Sequence, residues 1–392
     1  MMAANASLVM VREIMKEFAA STGLSPAGET PRRYLWTDAF AVCNFLEIYR
    51  QTEEEEYKSL ALGLVDQVHH ILGRHREDDP RTGWISGLQE GEGKDHPTRG
   101  GLRIGKKFKE RTPAETFDER LEWERDGQYF HYLTKWMHAL NRVSGVAEDL
   151  RYRRWAVELA QTAHARFTYR PSSGGQKRMH WKMSIDLTFP LVPSMGQHDP
   201  LDGLMTYLEL RASGPKSSAG SPGRELEAEI SDMAGICRGK SWTTEDPLGI
   251  GDLLGNAWKA AQLMVTGKWE DSGLLERLVE SACEGLEFYG RTNPESLPAE
   301  YRLAFRELGL SIGLKAAAKL QDAIERDPVF WKGRDSLLPR IKALGRFVPL
   351  AERMEKFWID GANQRAASWR QHRDINMVML ATRLAPDGYL SL

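Results

Sequence analysis

Long apolar runs are missing from this chain of 392 residues, and none approaches the roughly 20 residues that a bilayer-spanning helix needs. The first residues, where Glu13 and Lys16 interrupt a short amphipathic stretch, lack the apolar core of a secretory leader. Cysteine is scarce: Cys43, Cys237 and Cys283 are odd in number, far apart and set on apolar helical faces. That pattern argues against a disulfide framework and a metal site, and for small core residues in a reducing compartment. Charge of one sign is lacking too, with 53 basic against 55 acidic residues and a formal net charge of −2. Such a balance attracts neither nucleic acid nor an anionic membrane. The glycines of Gly100-Gly101-Leu102-Arg103-Ile104-Gly105 do not follow the phosphate-cradling spacing, and no suitable helix follows them. The expectation is a cytoplasmic protein without cofactor or metal, whose partner is a small polar molecule; homo-oligomerisation is left open.

What the chain has is a rhythm. Apolar spacing at i, i+3, i+4 and i+7 predicts helices over 6–20, 34–50, 54–75, 127–143, 147–166, 201–213, 223–238, 248–266, 272–290, 299–324, 336–360 and 374–384. Paired in order they make six helical hairpins in one domain spanning 1–392, with the long connections 21–33, 76–126, 167–200, 239–247, 291–298 and 361–373 at one end. The segment 34–50 is apolar on most sides and belongs inside, whereas 54–75 carries a single stripe, Leu60, Leu64, Val68, Ile71 and Leu72, and belongs outside. The same contrast separates 127–143 from 147–166, so two layers are expected. Asp199-Pro200 and Asp246-Pro247 echo one another as an acidic cap followed by proline, each opening an inner helix. Gly309 and Gly313 are expected to loosen the inner segment that holds them.

This alternation, with Trp36-Thr37-Asp38-Ala39-Phe40 at the mouth of the first inner helix and Asp79-Pro80-Arg81-Thr82-Gly83-Trp84 after an outer one, resembles the (α/α)6 barrels, or six-hairpin toroids. Among them are N-acylglucosamine 2-epimerase-like sugar isomerases and several glycoside hydrolase and polysaccharide lyase families. The resemblance implies an all-α toroid with a sugar-handling site at the long-loop end. Lanthipeptide-cyclase-like toroids fit less well, because their zinc needs Cys and His ligands at spacings absent here.

Trp36, Trp84, Trp123, Trp181, Trp242 and Trp369 fall on polar, glycine-rich segments of that end, half of the 12 tryptophans. Indole faces suit pyranose rings, whose hydroxyls bond to nearby polar groups; the plainer reading is that each Trp pins a loop. The densest cluster is Asp118 to Tyr132, where Asp126, Tyr129 and His131 meet the start of an inner helix that offers little solvent to polar groups. Candidate acids and bases are Asp38, Asp126, His131, Asp199, His372 and Asp374. Candidate substrate-binding residues are Trp36, Trp84, Arg103, Tyr129, Trp181, His198, Asp202, Trp242 and Trp369. The fifty-odd residues of 76–126 are expected to fold over the mouth. Hydrolysis would use two carboxyls, and epimerisation a base, often His, beside a carbonyl. A carbohydrate-binding toroid without catalysis and a partner-binding helical protein are the other two classes.

Overall fold

The computed structural model describes residues 2–192, 194–214, 225–292, 294–331 and 337–392. The chain is all-α, as the periodicity predicts, and its strands are short and confined to long connections. It divides into two compact units: an N-terminal one, Ala19–Arg238, and a C-terminal one joining Met1–Phe18 to Gly239–Leu392. Helix α1 (Met2–Ser21) opens the chain.

In the N-terminal unit, α2 (Leu35–Thr52) and α3 (Glu55–Leu72) form a hairpin through Glu53, which closes α2 in the left-handed region at φ 59°. Every residue of α2 from Leu35 to Ile48 is buried, whereas α3 buries one stripe running from Tyr57 through Leu64 and Val68 to Leu72. The inner and outer assignments therefore stand. The long connection that follows carries α4 (Glu90–Asp95) and α5 (Glu119–Glu124) and ends in β1 (Gln128–Tyr129). The next hairpin is α6 (Phe130–Ala147) with α7 (Leu150–Phe167), α6 lying beside α2. Strands β2 (Thr168–Tyr169), β3 (Arg178–Met179), β4 (Lys182–Met183) and β5 (Pro190–Val192) occupy the following connection. β2 and β3 pair with each other, and β4 lies between β1 and β5, all antiparallel. α8 (Asp199–Ala212), beside α6, and α9 (Glu227–Cys237) complete the unit; residues 223 and 224 of the segment predicted here lie outside the described residues.

The inner helix predicted from 127 starts instead at Phe130, because Gln128 and Tyr129 pair with Met183 and Lys182. Gly127 makes that possible. At φ 145° its added Cβ would sit 2.8 Å from both the Met183 carbonyl oxygen and Leu191, so a side chain there would push the sheet apart. Gln128 then serves as a pin rather than a cavity group, donating to the Gly100 and Ile185 carbonyls at 3.0 and 2.6 Å and accepting the Leu102 N–H at 2.8 Å.

The C-terminal unit runs through α10 (Pro247–Val265), α11 (Ser272–Thr292), α12 (Ala304–Arg326), α13 (Leu337–Gly345), α14 (Val348–Ile359), α15 (Gly361–Gln364), α16 (Ala367–Gln371) and α17 (Arg373–Leu384). Asp246 caps α10 as predicted, accepting the Gly249 N–H at 3.1 Å. α12 packs between α10 and α17 and is backed by α14. The helix predicted over 336–360 is two, broken at Arg346–Phe347 with Pro349 opening α14; residue 336 lies outside the described residues. The one predicted from 299 starts at Ala304, since Ala299–Tyr301 forms a tighter 3-10 turn. Gly309 and Gly313 do not loosen α12. A Cβ on Gly313 would lie 2.5 Å from the Gly251 Cα, and one on Gly251 would lie 2.2 Å from the Gly309 carbonyl oxygen, so these glycines let α10 and α12 touch backbone to backbone. Cys43 and Cys237 are buried and Cys283 is half-buried, all three as free thiols. No helix among the described residues is long and apolar enough to cross a membrane.

Candidate functional site

Helices α6 and α8 carry charged residues on faces that are otherwise apolar. On α6, His131, Lys135 and His138 recur at helical spacing; on α8, Asp199, Asp202 and Glu209 do the same, so each set forms one stripe. The stripes meet rung by rung. His131 Nδ1 lies 3.5 Å from Asp199 Oδ1, Lys135 Nζ lies 3.5 Å from Asp202 Oδ2, and His138 Nδ1 lies 2.7 Å from Glu209 Oε1. The last rung is fully buried, and Asn141 Nδ2 donates to the same Glu209 oxygen at 3.0 Å. The first rung is different. The His131 side chain keeps 26% of its exposure, while its Nδ1 and the Asp199 Oδ2 are buried without a hydrogen-bond partner. The Nδ1–Oδ1 separation exceeds an ordinary N–H···O bond by a few tenths of an ångström. Closing that gap would seat the Nδ1 proton on Asp199 and leave Nε2 as the basic nitrogen. The loop before α8 covers the carboxylate closely: a Cβ on Gly196 would lie 2.6 Å from Asp199 Oδ2.

Two aromatic rings cluster with the imidazole, 5.0 Å from each other. Tyr129 stacks on His131 at 5.3 Å and 28°, and Trp181 lies parallel to it at 6.3 Å and 6°. The β1–β4 pairing places them, since Tyr129 stands opposite Lys182. The same two rings line a cavity of about 260 Å³ with Phe117, Trp123, Glu119 and Val192. Trp123 meets Trp181 edge-on at 4.9 Å; Trp123 and Phe117 are both about half exposed. Two ammonium groups serve this wall. Lys106 Nζ lies 5.2 Å from the Tyr129 ring centre and 5.7 Å from that of Trp123, and donates to the Trp123 carbonyl. Lys182 is wholly buried and donates to Glu122 Oε1 at 2.8 Å and to the Glu122 and Arg125 carbonyls at 2.7 and 2.8 Å. Burial pulls both ammoniums down, Lys106 to about 8. Burial also pushes the Tyr129 phenol up, and raises that of Tyr34, which is hydrogen-bonded to Tyr132 at 2.8 Å, to about 12.

Other predicted site residues are engaged elsewhere. Asp126 is fully buried; its Oδ2 accepts from Arg103 Nη1 at 2.6 Å and Arg76 Nη1 at 3.3 Å, and its Oδ1 from the amides of Gly105 at 3.0 Å and Lys106 at 3.3 Å. Four donors occupy this carboxylate, so it fastens the long connection and is not placed for proton transfer. Arg103 is committed to the same knot, donating also to the Ile71 and Arg74 carbonyls at 2.8 and 2.7 Å, which corrects its expected role in substrate binding. Asp38 accepts the Tyr34 N–H at 2.9 Å and pairs with Arg33 at 3.5 Å, holding the start of its own helix. Trp36 is buried against Phe40 at 4.4 Å. Trp84, expected at the mouth, is buried with the Arg74 guanidinium 4.4 Å over its ring and its N–H on Glu90 at 3.2 Å. It lines a separate cavity of about 230 Å³ with His69, Tyr152 and Trp155. His198 is half-buried at the N-cap of α8, and Asp202 faces Lys135.

Trp242, Trp369, His372 and Asp374 belong to the C-terminal unit. Trp242 is buried, Trp369 stacks on Trp358 at 5.6 Å, His372 is exposed and edge-on to Phe305 at 5.5 Å, and Asp374 sits in the first turn of α17. Sequence reasoning missed Phe117 as a cavity wall and the pairing of His138 with Glu209. The acidic stripe on α8 was the available signal for that pairing. Among the described residues, no three His, Cys, Asp or Glu side chains are grouped as a metal site needs.

No protein-family model matches the sequence, and no curated protein matches it either. Solved structures with a similar course of chain include a cellobiose 2-epimerase from Spirochaeta thermophila, at 13% identity over 95% of this chain and 97% of that one, with a TM-score of 0.48. A sugar epimerase from a ruminal bacterium is similar at 11% identity over 90% and 87%, with a TM-score of 0.46. A cellobiose 2-epimerase from Bacillus thermoamylovorans follows at 9% over 89% and 87%, with a TM-score of 0.45. These likenesses assign no residue a role.

Proposed function

We propose that the N-terminal unit binds a saccharide in its aromatic cleft and that His131, oriented by Asp199, moves a proton beside the sugar carbonyl, as in an epimerase or isomerase. The observation that supports this most is the first rung of the α6–α8 ladder: a partly exposed imidazole beside a buried carboxylate whose Oδ2 has no partner, clustered with Tyr129 and Trp181, which also wall the cleft. In this reading Nε2 takes the proton from the carbon next to the carbonyl, the C–H electron pair moves into an enediolate, and Asp199 balances the imidazolium that results. The phenol of Tyr129 keeps its proton well above neutrality and can donate to the developing oxyanion, with Lys106 close by. A two-carboxylate hydrolysis is less supported, because Asp126 is saturated by Arg103, Arg76 and two amides, and Glu122 by Lys182 and Arg111.

The test is proton NMR in deuterated buffer across a panel of aldoses, ketoses and disaccharides, following loss of the signal next to the carbonyl. His131→Ala and Asp199→Asn should each slow that exchange by on the order of a hundredfold or more. Unchanged kinetics would clear both residues of proton transfer. Sugar-induced quenching of tryptophan fluorescence without exchange would favour the second reading, a carbohydrate-binding protein without turnover, which the half-exposed Trp123 favours.

A further inference from the structure

The C-terminal unit holds a cavity of about 510 Å³ walled by Arg365, Arg370, Arg373, Gln364, Trp369 and Glu17, among others. The three arginines sit at the end of α15, within α16 and at the start of α17. Even on a continuous helix their spacing would keep them within a sector of about 140°, and across these short helices all three line the same cavity. Arg373 is paired with Glu17. The side chains of Arg365 and Arg370 are exposed and have no hydrogen-bond or ion-pair partner among the described residues. A concave surface with three guanidiniums and one carboxylate that is already claimed carries a positive potential. Guanidinium forks match the flat geometry of carboxylate and phosphate oxygens. The volume is that of a small-molecule pocket and far exceeds what a bare oxyanion fills.

We propose that this cavity binds a small anionic metabolite, its phosphate or carboxylate group held by Arg365 and Arg370 and its neutral body lying toward Gln364 and Trp369. The inference is independent of the saccharide reading, since it uses no residue of the aromatic cleft.

Calorimetric titration of the full chain at low salt with glucose 6-phosphate, glucuronate and glucose tests it. Wild type should bind at least one of the two charged sugars, and affinity should fall as ionic strength rises. Arg365→Gln and Arg370→Gln should each weaken that binding by about tenfold or more, and leave any response to glucose unchanged. Which charged sugar binds separates phosphate from carboxylate recognition. An Arg365→Lys/Arg370→Lys variant keeps the charge but loses the forks, and should bind between wild type and the Gln variants, which guards against misfolding as the cause of a loss. No binding of either charged sugar by wild type, or equal affinity in the Arg365→Gln/Arg370→Gln double variant, would overturn the proposal. A failed saccharide reading shows differently, as no exchange or quenching with neutral sugars in any variant.

Discussion

Two pairs of neighbouring helices, α6 with α8 and α10 with α12, meet the same packing demand in opposite ways. In the first pair the helices are spaced by charged side chains that meet across the gap, His131 with Asp199 down to His138 with Glu209. In the second they are spaced by nothing, because Gly251, Gly309 and Gly313 bring the backbones into contact. Charge between buried helices costs desolvation and must be matched partner for partner, while bare glycine contact needs only shape. The polar pair is therefore where chemistry can be held, and the glycine pair is scaffold. The ladder itself is graded: its lower rung is sealed and fully bonded, while its upper rung keeps exposed surface and an unpartnered oxygen.

The comparison can be broken most directly at the sealed rung. His138→Ala strips Glu209 of its closest partner inside the core, and urea unfolding should show a loss of about 3–5 kcal/mol. His131→Ala, at the open rung, should cost little stability by the same measurement. Equal losses at the two would mean that the ladder is uniform and purely structural.

Gly251→Ala tests the other pair. Its methyl group would press on the Gly309 carbonyl, and the helices must part or bend, for an expected loss of about 3 kcal/mol. A stability within error of wild type would show that α10 and α12 do not depend on close contact.

A third test uses pH. His69 is fully buried, accepts the Trp136 indole N–H at 3.2 Å, and is pulled by burial from its ordinary 6.5 to about 3. Between those values the unfolded chain binds the proton and the folded one does not, so stability is full above about 6.5 and falls as the solution is acidified toward 3. Wild type should lose about 2 kcal/mol more than His69→Gln between pH 7 and pH 5. Parallel losses in the two proteins would remove His69 from the acid response. The smallest effect is expected at the cleft rim: Trp123→Ala should weaken saccharide binding by about 1 kcal/mol, several-fold in the dissociation constant, read by fluorescence or calorimetry.

How much of this was legible depends on the range of the interaction. Inner helices predicted to start near 34, 201, 248 and 374 start at Leu35, Asp199, Pro247 and Arg373, because prolines and apolar periodicity act within a turn or two of the chain. Of the two expected acidic caps only Asp246 caps its helix; Asp199 is the first residue of α8, whose N-cap is His198. The starts predicted at 127 and 299 moved inward, where a distant strand and a 3-10 turn took over the backbone. His131, Tyr129 and Trp181 could be nominated from sequence, since polar and aromatic residues at the mouth of a buried helix are unusual. Asp126 looked equally unusual and serves another purpose, because its partners Arg76 and Arg103 lie far from it in the chain.

The sequence by itself determined the all-α character, the alternation of inner and outer helices, and the confinement of strands to the long connections, for all of these follow from local periodicity and capping. Only the tertiary structure decided which carboxylate meets His131, which arginine is spent on a buried knot, and that glycines in α10 and α12 mark contact rather than weakness. Those outcomes rest on pairings between residues tens of positions apart, and a free charge and a neutralised one look alike until the chain has brought their partners to them.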